Sequence, residues 1–214
     1  SLNKIKIILI IAASIDGRIA FPYGGESHFG SNKDKEELNK SLIDVDATLF
    51  GTGTLKAHKS TYLIKEKSNN NISTRQPISI VAGNSQNFSN KWKYFKQPIK
   101  RWLISSSNNV LKKESHDFEK TFFFNKSWSK TLSFLREEGI KTIALLGGSK
   151  LIYSIIKEDL VDEIKITISP RIVGGKYSWI PSIEKNELNH YNERWEVKRI
   201  ERWETNEIFI NYTK

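Results

Sequence analysis

Apolar positions along this chain come in short dense runs separated by polar stretches, and they repeat at two different periods. Residues 4–13 carry Ile5, Ile7, Ile8, Leu9, Ile10 and Ile11 almost without a break, the pattern of a strand buried on both faces. Further short runs at 47–51, 78–82, 101–105, 120–124, 141–146 and 163–169 predict six more strands. Between them the period lengthens. Ser31 or Asn32 stands where a helix N-cap belongs, acidic residues follow, and Leu38 and Leu42 lie four apart, which predicts a helix to about residue 43. Residues 52–58 open a second helix. Ser127 caps a third, with Trp128, Leu132 and Leu135 on one face and Gly139 at its C′ position. A fourth follows Gly147-Gly148-Ser149 and presents Leu151, Ile152, Ile155 and Ile156 on its apolar face.

The tail, 194–213, reads as a β-hairpin turning near Thr205-Asn206. Ile208, Ile210 and Tyr212 alternate in its second arm and are expected to be its buried side, with Trp195 and Val197 opposite them. Residues 14–30 form a long loop with Asp16-Gly17, Pro22 and Gly24-Gly25 as turn chemistry, and the polar stretch 65–77 reads as a mobile loop. Strands alternate with helices until the final strands. That order predicts an α/β fold: one domain over residues 1–214, with a mostly parallel sheet and an antiparallel edge.

Composition narrows the function. The 214 residues, 38% hydrophobic and 27% charged, exclude a wholly disordered chain. No apolar run approaches the roughly 18–20 residues of a membrane span. The run at 7–13 has no small-residue cleavage site after it, so no signal peptide is expected. Cysteine is absent, which excludes disulfides, thiolate metal sites and cysteine nucleophiles and favours the cytoplasm. Methionine is absent even at position 1, so a processed or trimmed N-terminus is expected. His28, His58, His116 and His190 lack metal-ligand spacing, and no metal is expected. Asp44 and Asp46 flank a strand start and are expected to be solvated. The net charge of +10 raises the question of nucleic acid. Lys91-Trp92-Lys93-Tyr94-Phe95-Lys96, with Arg101-Trp102 nearby, either stacks single-stranded bases or packs a loop onto the core with its lysines in water.

Ligands of open α/β sheets bind beyond the carboxyl ends of the strands. Here those ends carry Ser14-Ile15-Asp16-Gly17-Arg18, Gly51-Thr52-Gly53-Thr54, Gly83-Asn84-Ser85, Ser105-Ser106-Ser107 and Gly147-Gly148-Ser149-Lys150. Small residues let backbone approach a ligand, and the free N–H groups of a helix N-terminus attract phosphate oxygens. Gly147-Gly148 ahead of an amphipathic helix is thus a candidate diphosphate cradle. Neither a Walker A sequence nor a Rossmann fingerprint after the first strand is present.

The segments IAASIDGRIA (11–20), GES (25–27), LFGTGTLKA (49–57), LLGGSKL (145–151) and LVDEIKITISPRIVGG (160–175) resemble, in order, the reductase domain of bacterial riboflavin biosynthesis, the RibD C-terminal type. The resemblance implies a dihydrofolate-reductase-like, three-layer fold with helices on both sheet faces. It implies NADPH as cofactor, a homodimer, and reduction of the ring-opened ribosyl group of 5-amino-6-(5-phosphoribosylamino)uracil, a small phosphorylated aminouracil, to a ribityl group. By that match Ala12, Thr52, Gly53, Thr54, Ser105 and the turn Gly147, Gly148, Ser149, Lys150 and Leu151 contact NADPH, with Ser85 near its 2′-phosphate. Ser27 and Phe29 match a Ser-x-Trp pair beside substrate, and Asp16 and Arg18 stand near the reacting centre. His58, Lys65 and Leu146 fall on the substrate side and depart from the family. His58 and the residues after it replace Asp-Asp-Pro and Leu-Thr-x-Arg, and Leu146 replaces a glutamate. Nothing matches the zinc motif of the family's companion deaminase. A pterin or another small carbonyl or imine as substrate, and a nucleic-acid-binding role for 91–102, are the alternatives at this point.

Overall fold

The computed structural model describes residues 3–23, 29–83, 88–106, 117–182 and 194–214. The isoleucine-rich run forms β1 (Lys6–Ser14), and the chain then builds α1 (Asn32–Ile43), β2 (Ala47–Gly51), α2 (Thr52–His58), β3 (Ile78–Ala82), β4 (Arg101–Ser105) and β5 (Lys120–Phe123). It continues with α3 (Trp128–Glu137), β6 (Thr142–Gly147), α4 (Ser149–Lys157), β7 (Glu163–Ser169), β8 (Glu196–Arg202) and β9 (Ile208–Thr213). The nine strands make one mixed sheet in the order β5-β4-β3-β2-β6-β1-β7-β9-β8. The pairs β1–β7, β2–β3, β3–β4 and β4–β5 are parallel, and β9 runs antiparallel to both β7 and β8.

Local signals account for the helix ends. Ser31 Oγ accepts from the Asp34 N–H, and Ser127 Oγ from the Lys130 N–H, each filling one donor left open at a helix start. Gly139 follows α3 with φ +96°, a conformation that side chains resist.

Two compact units divide the chain. The first comprises Ser1–Ile5 and Asn39–Ala144. Its core gathers Leu49, Leu55, Ile80, Leu103 and Leu135, all fully buried. The basic–aromatic segment belongs to this core. Tyr94 is buried and shares a hydrogen bond with Ser79 Oγ, and burial pushes its phenol up to about 12. Trp102 is buried and Phe95 packs on Phe118, while Lys91, Lys93 and Lys96 stay exposed. Asp46 is not simply solvated: its Oδ2 accepts from the Lys141 and Thr142 N–H groups, because an unpaired strand start offers free donors. The 65–77 stretch is a loop, fastened where Gln76 bonds both the N–H and the carbonyl of Ile64.

The second unit comprises Lys6–Leu38 and Leu145–Lys214. In it α1 lies on the sheet face that carries Thr167 and Arg199, to which Asp34 and Glu37 bond. The chain leaves β1 toward β2 but leaves β6 toward β7, and right-handed crossovers in opposite directions set α1 and α4 on opposite faces. The hairpin corrects the expectation for its second arm. The buried side of β9 is Phe209 and Asn211, whereas Ile208 is exposed and Ile210 and Tyr212 are half-buried; Val197 is exposed. The reason is placement: Phe209 points to the α1 face, stacked on Trp203 and under the Arg199 guanidinium.

Candidate active site

In the second unit the carboxyl ends of β1 and β7 are tied together. Ile15 N–H donates to the Arg171 carbonyl, Ile19 N–H to Tyr177 and Trp179 N–H to Gly17. Asp16 is the clasp. Its Oδ1 accepts from Ser14 Oγ and the Val173 N–H, and its Oδ2 accepts from the Gly174 N–H at 2.7 Å. The Ser14 hydroxyl and these amides hold its carboxyl far below the usual carboxylate range. Arg18 Nε lies 3.6 Å from Asp16 Oδ2, and its Nη1 donates to Ser178 Oγ. Asp16 and Arg18 therefore do come together, with the carboxylate committed to loop backbone. Gly17 has φ +76°, a backbone conformation that side chains resist, although a Cβ there would meet Trp179 only at ordinary contact distance.

Beside this clasp Phe29 is buried, with the Arg171 guanidinium 5.6 Å over its ring. Ala12 pairs in register with Thr167, whose side chain bonds Asp34. Asp34 fits against Gly30, where any Cβ would collide with its Oδ2. Burial first, then Glu207 and Glu37, raise its carboxyl above the ordinary value, opposed by the Thr167 bond. Glu207 is buried and accepts from Ser31 Oγ and Thr205 Oγ1. Sequence reasoning missed Asp34, Thr167, Arg171 and Glu207. Asp34 carried a signal, but it read as an ordinary first-turn acid.

At the other turn of this unit, β6 ends on Leu146 and Gly147, and Gly148 is the N-cap of α4. The left-handed conformation falls on Gly147, φ +135°, while Gly148 is extended at φ −84°. Gly148 has no side chain to accept from the first N–H groups of α4, those of Ser149, Lys150 and Leu151. They are presented with the positive end of the helix dipole behind them. This chemistry fits a phosphate-bearing cofactor.

In the first unit, Thr52, Gly53 and Thr54 form the first turn of α2, and His58 is its last residue. Gly83 follows β3 at φ +138°, where a Cβ would meet Thr52 Cγ2 at 2.6 Å, so the two turns touch. Ser105 ends β4 and is buried. Lys65 is exposed in the loop, its backbone held on both sides by the Asn39 side chain. Ser27 and Ser85 lie outside the described residues. A cleft of about 290 Å³ in this unit, lined among others by Val45, Arg75, Pro77 and Lys100, sits at the amino ends of the strands, away from these turns. Among the described residues no group of three or more acidic or histidine side chains could hold a metal ion, and no helix is long and apolar enough to cross a membrane.

A mixed sheet with these strand-end turns and a terminal antiparallel hairpin is a dihydrofolate-reductase-like fold, and dihydrofolate reductase from Enterococcus faecalis superposes with TM-score 0.58 at 14% identity, covering 97% of this chain and 95% of that one. The model of the RibD C-terminal domain matches residues 5–206, and the chain belongs to that family. It is 24% identical over 207 residues to a 2,5-diamino-6-ribosylamino-4(3H)-pyrimidinone 5′-phosphate reductase of Archaeoglobus fulgidus, covering 92% of each. It is 26% identical over 185 residues to the riboflavin biosynthesis protein RibD of Buchnera aphidicola, covering 79% of this chain and 49% of that protein. RibD of Acinetobacter baumannii superposes with TM-score 0.82 at 14% identity, covering 99% of this chain and 58% of that one. The chain thus spans about half the length of the RibD proteins it matches.

Proposed function

We propose that this chain is an NADPH-dependent reductase that converts the ring-opened ribosyl group of a phosphoribosylaminopyrimidine to a ribityl group. The observation that carries the reading is the family match over residues 5–206 combined with the end-to-end match to the Archaeoglobus reductase. When bound, NADPH supplies a hydride to an electrophilic C=N or C=O carbon. The chain's own residues bind and orient. The Gly147–Gly148 turn and the N–H groups of Ser149, Lys150 and Leu151 hold the diphosphate, with Ala12, Thr52, Gly53, Thr54, Ser85 and Ser105 completing the cofactor contacts. Arg18 is held in place by Asp16 and Ser178 and offers its charge to a substrate phosphate. Ser27, Phe29, His58, Lys65 and Leu146 line the substrate side. The same reading makes the protein a single domain, a homodimer and a cytoplasmic enzyme.

The pyrimidine itself has two forms, bearing an oxygen or an amino group at position 2. The oxygen form is the substrate that the family resemblance implies. The end-to-end match to the archaeal diaminopyrimidinone reductase favours the amino form as the second reading. The test follows NADPH oxidation with each pyrimidine, in wild type and in Leu146→Glu. Saturable oxidation with either substrate supports the reductase, and the ratio of kcat/KM assigns position 2. The glutamate variant should gain about 10-fold or more on a substrate whose ring N–H it can accept from. Oxidation with neither pyrimidine hands the site to a pterin or another small carbonyl substrate.

A further inference from the structure

The net charge of +10 is not spread along the chain. Residues 47–106, from the start of β2 to just past β4, hold ten Lys and Arg and a single acid, Glu66, while the other 154 residues hold 24 Lys and Arg against 23 acids. A general leaning toward lysine would fall on both parts, so the surplus belongs to this stretch of the first unit. All eight of its lysines, and Arg75, are exposed. Among the described residues none of these nine pairs with a carboxylate, whereas Lys6, Lys198, Arg199 and Lys214 in the second unit all do.

The backbone holds these cations on a fixed platform. The turn after α2 and the segment 93–97 are stitched together: Tyr94 N–H donates to the Lys59 carbonyl, and the Gln97 side chain bonds both the N–H and the carbonyl of Thr61. Tyr94 anchors the segment to β3 through Ser79, and Arg101 donates to the Tyr94 and Gln97 carbonyls. Lys56, Lys59, Lys91, Lys93 and Lys96 are the exposed side chains of these two elements that carry charge. Lys100, whose carbonyl accepts from the Ser79 N–H, extends the charge to the cleft it lines with Arg75. The two acids of that cleft are occupied, Asp46 by the Lys141 and Thr142 amides and Glu138 by Lys120. Segment 93–100 lies by the starts of β3 and β4. The turns at 51–54 and 83 stand at the other end of five-residue strands, about 15 Å away.

We propose that this surface binds the phosphate backbone of nucleic acid without reading its sequence. The proposal rests on charge and framework and needs nothing from the reductase chemistry. A row of exposed, unpaired point charges suits a strand of phosphates, whereas one phosphorylated cofactor uses only a few. Tyr94 and Trp102 are buried, and Trp92 and Phe95 pack on Phe88, so no open stack of rings is offered to bases and contact stops at the backbone. An anionic lipid surface or an acidic protein would want apolar side chains among the cations. Among the described residues of the stretch, Ile72 alone is a large hydrophobic that is exposed.

Fluorescence anisotropy of a labelled, mixed-sequence RNA of about 20 nucleotides tests this with the whole chain. Binding is expected at about 50 mM salt and should weaken roughly 100-fold by about 200 mM, as some five neutralised phosphates require. A second RNA of unrelated sequence should bind equally. Lys93→Glu and Lys96→Glu, both at exposed positions, should each weaken binding by about 10-fold or more and flatten the salt dependence. Lys35→Glu, the same charge change at an exposed position of α1 in the second unit, should weaken it by less than about 3-fold. Cooperative thermal unfolding checks that each variant folds. No binding at the lower salt, an equal loss in Lys35→Glu, or folded Lys93→Glu and Lys96→Glu that bind like wild type overturns the proposal. So does displacement of the RNA by millimolar NADPH, by poly-glutamate at equal charge, or by anionic vesicles, which would assign the cations to the cofactor, an acidic protein or a membrane. NADPH oxidation is measured separately, so this surface and the reductase reading fail independently.

Discussion

Asp16 accepts from one hydroxyl and two loop amides, and those donors keep it ionised. Its lowered pKa contributes stability above the unfolded value near 3.8 and loses it only as pH falls toward the depressed value. Asp16→Ala should speed amide exchange at Val173 and Gly174, with Asp16→Asn intermediate, and neither should move the acidic limb of a pH–rate profile, because an ionised clasp gives up no proton. An acidic limb that shifts in Asp16→Asn would return the residue to acid–base work. Asp34 behaves in the opposite sense. Its pKa is raised, so folding binds its proton more tightly, and the contribution present below the unfolded value is lost as pH climbs through the folded one. Asp34→Asn removes a desolvated charge facing Glu37 and Glu207. It should raise Tm at pH 8 and do little at pH 4, each 1 kcal/mol appearing as about 2–4 °C. Both roles rest on distant partners: Asp16 reads as a turn residue in sequence, but the loop it clasps is 157 positions away.

At the scale of elements the chain was highly legible, because strand runs and caps are local. β2, α2, β3 and β4 keep the boundaries that periodicity and turn residues indicate. The hairpin was misread because the three apolar residues at 208, 210 and 212 outnumber Phe209, although Phe209 is the buried one, stacked on Trp203 and under Arg199. Phe209→Ala should cost about 3–5 kcal/mol, whereas Phe123→Ala, at a 45% exposed position on β5, should cost about 1 or less. Urea midpoints at constant slope compare them. The β6–α4 turn was legible as a glycine pair but not in its division of labour. Gly147 carries the positive φ, so Gly147→Ala should be strained by about 1–3 kcal/mol and weaken NADPH binding, read by cofactor fluorescence. In Gly148→Ala the backbone is tolerated, and any loss there reports close approach of the ligand.

For the whole molecule, α/β class and the antiparallel edge followed from element order, while the strand order did not. Nothing local says that β6 lies between β2 and β1, or that β9 rather than β8 pairs with β7. The family motifs, at separated positions, carried what periodicity could not. Because β9 lies inside the sheet and supplies Phe209, while the turn before it supplies the buried Trp203, ending the chain at residue 193 should abolish cooperative unfolding. A soluble truncation with a sharp melt would make the hairpin an accessory.

The second unit is assembled from two stretches of chain with most of the first unit between them, and this sets a timetable for its birth. Ile7 at the start of β1 finds its partner Asp162 only 155 residues later. At ribosomal speeds of about 5–20 residues per second, that strand waits on the order of ten seconds or more after it is made. During the wait its run of isoleucines has neither β6 nor β7 to lie against, while β2, β3, β4 and β5 emerge and can pair among themselves. This apolar, β-branched run is therefore long without its neighbours in the nascent protein. Its exposure ends only when β6 and β7 arrive to flank it.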